Sequence, residues 1–176
     1  MKILGIDPGS LNCGYGLIFV DSIPHVSRRC KTIRRITYGA SGRVVLSAKN
    51  PLHHRLQDLF LSLQDVVAEY CPDVISVERV FFAKSTRSAL TLGHARGIIL
   101  LVAALCGAHL VEYSALEVKK ALVGYGRAEK KQVEAMVRQI LGVHHALSAD
   151  SADALALAIC HANHQSFEEA STASHS

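Results

Sequence analysis

Ala149-Asp150-Ser151-Ala152-Asp153-Ala154-Leu155-Ala156 sets two carboxylates three residues apart in a segment that is otherwise small and apolar. On a helix, that spacing puts both on one face. A helix of Ala, Leu and Ser belongs against a core, and an acid pair buried there without partners is expensive. Two carboxylates pressed together repel unless one is protonated or a cation lies between them. The pair also sits in the helix's first turn, where the dipole favours negative charge. A first-turn role alone would explain exposed acids. Burial is what makes these two a candidate metal site.

Two further acids join them. Residues 2–7 read as a short buried strand running into Asp7-Pro8-Gly9-Ser10, and residues 73–78 as a strand ending on Glu78. An Asp before Pro-Gly is often only a turn former. Strand ends in an open α/β sheet are nevertheless where sites assemble, and neighbouring strands would bring these carboxylates to one edge. Asp7, Glu78, Asp150 and Asp153 form an all-oxygen set without His or Cys, which suits Mg²⁺ or Mn²⁺ rather than zinc. Two such ions, roughly 3.5–4 Å apart, serve phosphodiester hydrolysis by activating a water and stabilising the leaving oxygen.

The remaining pattern describes what carries these acids. A second strand is expected over 14–20, and a third is assembled from β-branched pieces at 32–38 and 43–46. Asn50 as cap and Pro51 in the first turn open a helix that runs to Tyr70. A helix over 85–106 is apolar nearly all round in its second half, which fits either a core or a dimer contact. A strand at 109–113 follows, then helices at 115–122 and 128–141 joined by Gly124-Tyr125-Gly126, then the acidic helix at 149–163. The expectation is one α/β domain over 1–164, a mixed five-stranded sheet flanked by helices, with a flexible tail over 165–176. A chain of 176 residues suffices for one full core.

Charge and composition narrow the setting. The longest apolar run, residues 97–108, falls short of the roughly 20 residues that span a bilayer. The N-terminus lacks a small-residue cleavage site, so a cytoplasmic protein with no membrane partner is expected. Cys13, Cys30, Cys71, Cys106 and Cys160 are scattered without CxxC spacing, as reduced core thiols would be. His53-His54, His144-His145 and His161/His164 cluster, but without cysteines at ligand spacing. Within a net charge of +4, one basic run spans Arg28, Arg29, Lys31, Arg34 and Arg35, and another Lys119, Lys120, Arg127, Lys130 and Lys131. Each is either a polyanion contact or a solvated face.

Ile3-Leu4-Gly5-Ile6-Asp7-Pro8-Gly9-Ser10 with Gly14-Tyr15-Gly16 resembles the opening of the RuvC family of bacterial Holliday-junction resolvases. The resemblance continues through Val77-Glu78-Arg79-Val80-Phe81-Phe82-Ala83-Lys84, Ser88-Ala89-Leu90 and Leu92-Gly93-His94-Ala95-Arg96-Gly97. It runs on over Val118-Lys119 to Lys130 and closes on the Asp150/Asp153 segment. The blocks lie in order over nearly the whole chain; between about 21 and 50 the match weakens.

The resemblance implies a ribonuclease H-like fold and a homodimer that nicks two strands of a four-way junction symmetrically, in recombination and repair. It implies two Mg²⁺ per subunit, replaceable by Mn²⁺, on Asp7, Glu78, Asp150 and Asp153. It implies that Lys119 acts near the scissile phosphate and that Phe81, Lys84, Lys119 and Lys130 contact DNA, Phe81 by stacking on bases. The RuvA–RuvB branch-migration motor is the implied protein partner. An aromatic wedge can offset stacking lost in a distorted junction, at roughly 1–3 kcal/mol per base. From the residues alone, Val80-Phe81-Phe82 reads equally as a strand extension.

Two other functions compete. Gly5-Ile6-Asp7-Pro8-Gly9-Ser10 also resembles the first phosphate loop of sugar kinases and actin-like ATPases, but such a phosphotransferase needs a second lobe for which 176 residues leave no room. A non-catalytic junction-binding module would have no use for four acids beside phosphates, since they weaken binding unless metals neutralise them.

Overall fold

In a computed structural model of the chain, residues 1–23, 33–79 and 86–173 are described. Strands β1 (Lys2–Asp7), β2 (Asn12–Ile23) and β3 (Ile33–Val45) form an antiparallel meander. Strands β4 (Val74–Glu78) and β5 (His109–Tyr113) extend it on the other side of β1, parallel to β1 and to each other. The spatial order is β3-β2-β1-β4-β5: the mixed five-stranded sheet that the pattern called for, in the ribonuclease H-like arrangement that the resemblance implied. The β-branched pieces around 32–46 are one continuous strand, and a register shift against β2 at Leu17/Ile18 absorbs its length.

Five helices cover the sheet: α1 (Leu52–Tyr70), α2 (Thr86–Cys106), α3 (Ala115–Val123), α4 (Lys130–Leu141) and α5 (Ala149–Ala173). Side chains alternate across a strand, so each strand feeds two cores. Leu4, Ile6, Ile75 and Val77 face α1 and α2, where they meet Leu59, Leu63, Ile99 and Val102. Ile3, Ile18 and Val74 face α5, α3 and α4, where they meet Leu155, Ile159, Val118 and Val137. Helix α5 lies between sheet and outer helices, so it is buried on nearly every side from Ala154 to Ala162. That is why its sequence has so few polar residues after the acids.

Glycines set how closely α5 approaches. A Cβ at Gly5 would overlap the Ala154 carbonyl, one at Gly14 the Asp150 carbonyl, and one at Gly16 the Leu155 side chain. Gly5 pairs with Gly16 and Asp7 with Gly14 across β1 and β2. Bare backbone therefore lines the strip on which α5 rests.

Some boundaries differ from the expected ones. Pro51, not Asn50, holds the N-cap position of α1, with no side-chain cap. A residue before proline is pushed to extended backbone, which keeps Asn50 outside the helix. Helix α4 begins at Lys130 because Glu129 and Gln132 form a capping box ahead of it. Helix α5 continues to Ala173, past its expected end at 163 and through most of the stretch expected as a flexible tail. No Gly or Pro interrupts that stretch, and its Ala and Glu are good helix formers. The four described cysteines are free, but only Cys13 and Cys160 are in the core, whereas Cys71 and Cys106 are exposed.

The all-round apolar character of α2 resolves into two faces. Ala95, Ile99, Val102 and Ala103 are buried, while Leu90, Leu101 and Leu105 are 61%, 47% and 63% exposed. By length and composition alone, Ala89–Cys106 could cross a membrane. Within it Arg96 pairs with Glu112 of β5.

A carboxylate and lysine cleft at the strand ends

Asp7 ends β1 and Glu78 ends β4. The parallel register aligns Gly5 with Ser76 and Ile6 with Val77, which carries the two acids side by side onto the α5 face. Three bonds fix α5 above them. Ser148 Oγ accepts from the Ser151 amide at 3.1 Å, Ser151 Oγ donates to the Gly42 carbonyl at 3.0 Å, and Ser76 Oγ donates to the Leu157 carbonyl at 2.9 Å. The start of α5 is thereby held at the strand ends, with Asp150 in the first turn and Asp153 just beyond it, rather than both in the first turn as expected.

Helices α3 and α4 close the other side. Asp7, Glu78, Asp153, Lys119 and Lys130 line a cleft of about 230 Å³ whose walls include Val118, Val133, Ala156 and Leu157. Helix α3 is anchored by a capping box at Ser114 and Glu117, and α4 starts on the lysine itself. Lys130 Nζ reaches Asp153 Oδ2 at 2.5 Å.

The cleft is overcharged for its depth. Burial first, then the neighbouring Asp153, Glu78 and Asp150, push the Asp7 carboxyl up to about 7, against the pull of Lys130. Burial and Asp153 also raise Glu78. The bond to Asp153 raises Lys130 in turn. A carboxylate group that resists ionisation this strongly is one that a cation would relieve.

Among the described residues, no three carboxylate, imidazole or thiol groups are closed around a common point. The arrangement shows why. Asp153 is turned onto Lys130, and Asp150 lies 3.6 Å from Arg43 Nη1 and does not line the cleft. Two protein cations hold the helix acids that the strand acids lack as partners. An all-oxygen set in a cleft with more carboxylates than cations fits hard divalent ions, with Asp7 and Glu78 on the strand ends.

Of the other residues singled out, Lys119 and Lys130 lie in the cleft, and Phe81 and Lys84 fall outside the described residues. Lys120 and Lys131 are exposed and away from the cleft lining. His144 and His145 are exposed, and His145 packs edge-on against Tyr38 with centroids 5.7 Å apart. Arg43 was not among the expected site residues. Its only local signal is a cation in a strand of small residues, and its neighbour Asp150 is far away in sequence.

Known proteins share the fold that carries this cleft. The family described as crossover junction endodeoxyribonuclease RuvC matches residues 3–161. The RuvC of Syntrophomonas wolfei is 43% identical over 162 residues, covering 92% of this chain and 88% of the relative. That of Heliobacterium modesticaldum is 45% identical over 161 residues, covering 91% and 93%. A solved Thermus thermophilus RuvC superposes with a TM-score of 0.82 at 30% identity, over 96% of this chain and 97% of that one. The same protein in complex with Holliday junction substrate gives 0.80 at 28% identity, over 94% and 95%. The yeast mitochondrial resolvase Ydc2, at 16% identity and a TM-score of 0.59 over 93% of this chain and 79% of that one, shares the fold. With the match running from β1 through the acidic helix, this chain belongs to the RuvC family of crossover junction endodeoxyribonucleases.

Proposed function

We propose that this chain resolves four-way DNA junctions by paired, symmetric nicks, using metal-assisted phosphodiester hydrolysis at the cleft lined by Asp7, Glu78 and Asp153. The observation that carries this reading is the pairing of a carboxylate cluster with Lys119 and Lys130 in one recessed cleft. Carboxylates alone repel a phosphate, and lysines alone only bind it. Together they fit a site that holds hydrolytic ions and an anionic substrate at once.

Asp7, Glu78, Asp150 and Asp153 would hold two Mg²⁺, with Mn²⁺ as a substitute. Bound there, such ions supply an activated water and neutralise the leaving 3′ oxygen. The chain's own groups do the rest. Lys119 and Lys130 offer ammonium groups to the phosphate as charge builds on it. Lys130 would exchange Asp153 for the phosphate when substrate arrives. Val118 and Val133 keep the cleft walls apolar, which strengthens those interactions by excluding water. A recess of about 230 Å³ is of a size to take one phosphodiester of the strand being cut.

The exposed face of α2 supports a homodimer. Leu90, Gly97, Leu101 and Leu105 lie along it, and a Cβ at Gly93 or Gly97 would meet nothing within 4 Å. An uncovered leucine stripe with glycines that permit close approach suits a second copy of the same helix. A two-fold dimer also presents two clefts to opposed strands of a roughly two-fold junction. Family membership supports a cytoplasmic enzyme working beside the RuvA–RuvB branch-migration motor.

The test is a labelled four-way junction incubated with the protein and Mg²⁺, beside linear duplex of the same sequence. Nicking of the junction alone, abolished in Asp7→Asn, is the expected result. Binding without nicking in both Mg²⁺ and Mn²⁺ would overturn the nuclease reading. Equal cutting of both substrates would overturn junction specificity.

A further inference from the structure

Three residues form one row across the sheet at the cleft. Asp7 pairs with Gly14, and Gly14 pairs with Arg43. Directly paired residues point to the same face, here the face that carries α5. Gly14 has no side chain, so the first turn of α5 occupies the middle of the row at Asp150. Asp150 is thus flanked by Asp7 on one side and Arg43 on the other.

Arg43 does little for stability. Its Nη1 stands 3.6 Å from Asp150 Oδ2, beyond hydrogen-bond distance, and the two side chains are 45% and 28% exposed. Exposed pairs of this kind contribute little. A guanidinium carries five donors, and among the described residues Asp150 is the one polar partner that Arg43 approaches. Arg43 also lines a shallow depression of about 400 Å³ with Ser41, His145, Ser148 and Ser151. Among the described residues, no acidic side chain lines it. A basic, hydroxyl-lined shelf therefore adjoins the acidic cleft, two strand spacings or roughly 10 Å from Asp7.

We propose that Arg43 and this shelf form a phosphate subsite for the strand being cut, beside the phosphate held in the cleft. Without DNA, Arg43 rests against Asp150. With DNA, the guanidinium takes a backbone phosphate, whose two oxygens match its fork better than one distant carboxylate oxygen does. The same movement releases Asp150 toward the cleft, so substrate binding and completion of the carboxylate set are coupled. The proposal rests on the junction-resolving reading and adds a residue to it.

The test is binding of a fluorescent four-way junction in Ca²⁺, followed by anisotropy between 50 and 200 mM salt. Wild type is compared with Arg43→Ala, Arg43→Lys and Lys2→Ala. Lys2 lies at the opposite end of β1, where its Nζ donates to the Tyr70 carbonyl. Arg43→Ala should bind about three- to tenfold more weakly at the low-salt end, with a log–log salt slope smaller by about one. Arg43→Lys should recover most of the slope, and Lys2→Ala should match wild type. If wild type itself fails to bind, the junction reading is wrong. If wild type binds and Arg43→Ala keeps its slope, Arg43 serves only Asp150 and the subsite is wrong. Equal slope losses in Arg43→Ala and Lys2→Ala would reduce the effect to net charge and overturn it as well.

Discussion

Lys130 on α4 donates to Asp153 on α5 at 2.5 Å, across the mouth of a cleft whose deepest acid, Asp7, is held up to about 7. Among the described residues, the lysine is the one cation that lowers both Asp7 and Glu78, so it works against the repulsion among the acids. Losing it removes a counter-charge from the carboxylates and, in the proposed mechanism, one from the phosphate as well. Lys130→Met should lower nicking about 10²- to 10³-fold, as when one preorganised charge donor is removed from an active site. Single-turnover cleavage of a labelled junction measures it; retention of a tenth or more of wild-type activity would place Lys130 outside the chemistry.

Asp7 should make the metal-free protein lose stability as pH rises. Its carboxyl binds a proton more tightly in the folded state, at about 7, than in the unfolded chain, near 3.8. The resulting stabilisation is present in full below about 4 and is lost as pH climbs through about 7. In EDTA, wild type should therefore melt at a lower temperature at pH 8 than at pH 5. Asp7→Asn should flatten that fall and melt above wild type at pH 8. Thermal melts across that range, with and without Mg²⁺, decide it, because Mg²⁺ should raise wild type at pH 8 far more than Asp7→Asn.

Gly14 is where the fold has no slack. A Cβ there runs into the Asp150 carbonyl, a backbone atom that cannot move unless α5 moves. Gly14→Ala should cost about 1–3 kcal/mol in denaturant unfolding, as overpacking does. It should also depress nicking, because the same turn carries Asp150. A Gly14→Ala variant as stable and active as wild type would mean that α5 does not depend on that contact.

The α2 face predicts its own outcome. Leu101→Asp and Leu105→Asp place charges on 47% and 63% exposed positions, so the monomer should fold normally. Sedimentation should show a shift from dimer to monomer, and paired nicking should give way to weak, uncoupled single nicks. Unchanged sedimentation would move the dimer contact elsewhere.

Thiol reactivity checks the two cores. Burial pushes Cys13 and Cys160 each up to about 12, and both are fully enclosed. Cys71 and Cys106 are exposed at the ends of α1 and α2. Iodoacetamide at pH 8 should modify Cys71 and Cys106 within minutes and leave Cys13 and Cys160 unlabelled until denaturant is added, as mass spectrometry would show.

Much was legible locally. Strand β5, the end of β4 on Glu78 and the acid spacing on α5 each depend on a few adjacent residues, and period and chemistry suffice for those. The convergence of Asp7 with Glu78 needed one assumption, that β1 and β4 are neighbours, which the parallel register supplies. Helix ends were less legible. Pro51 displaced the start of α1 and Glu129 that of α4, because capping competes at neighbouring residues by small energies.

By itself, then, the sequence determined which residues carry charge and which periodicity carries them to the strand ends and one helix turn. Only the tertiary structure decided that Gly5 and Gly14 let α5 settle on bare backbone, that Lys130 is the partner of Asp153, and that Arg43 stands beside Asp150. Those relationships join residues far apart in the chain. They are set by strand register and helix packing, which no short stretch of sequence contains.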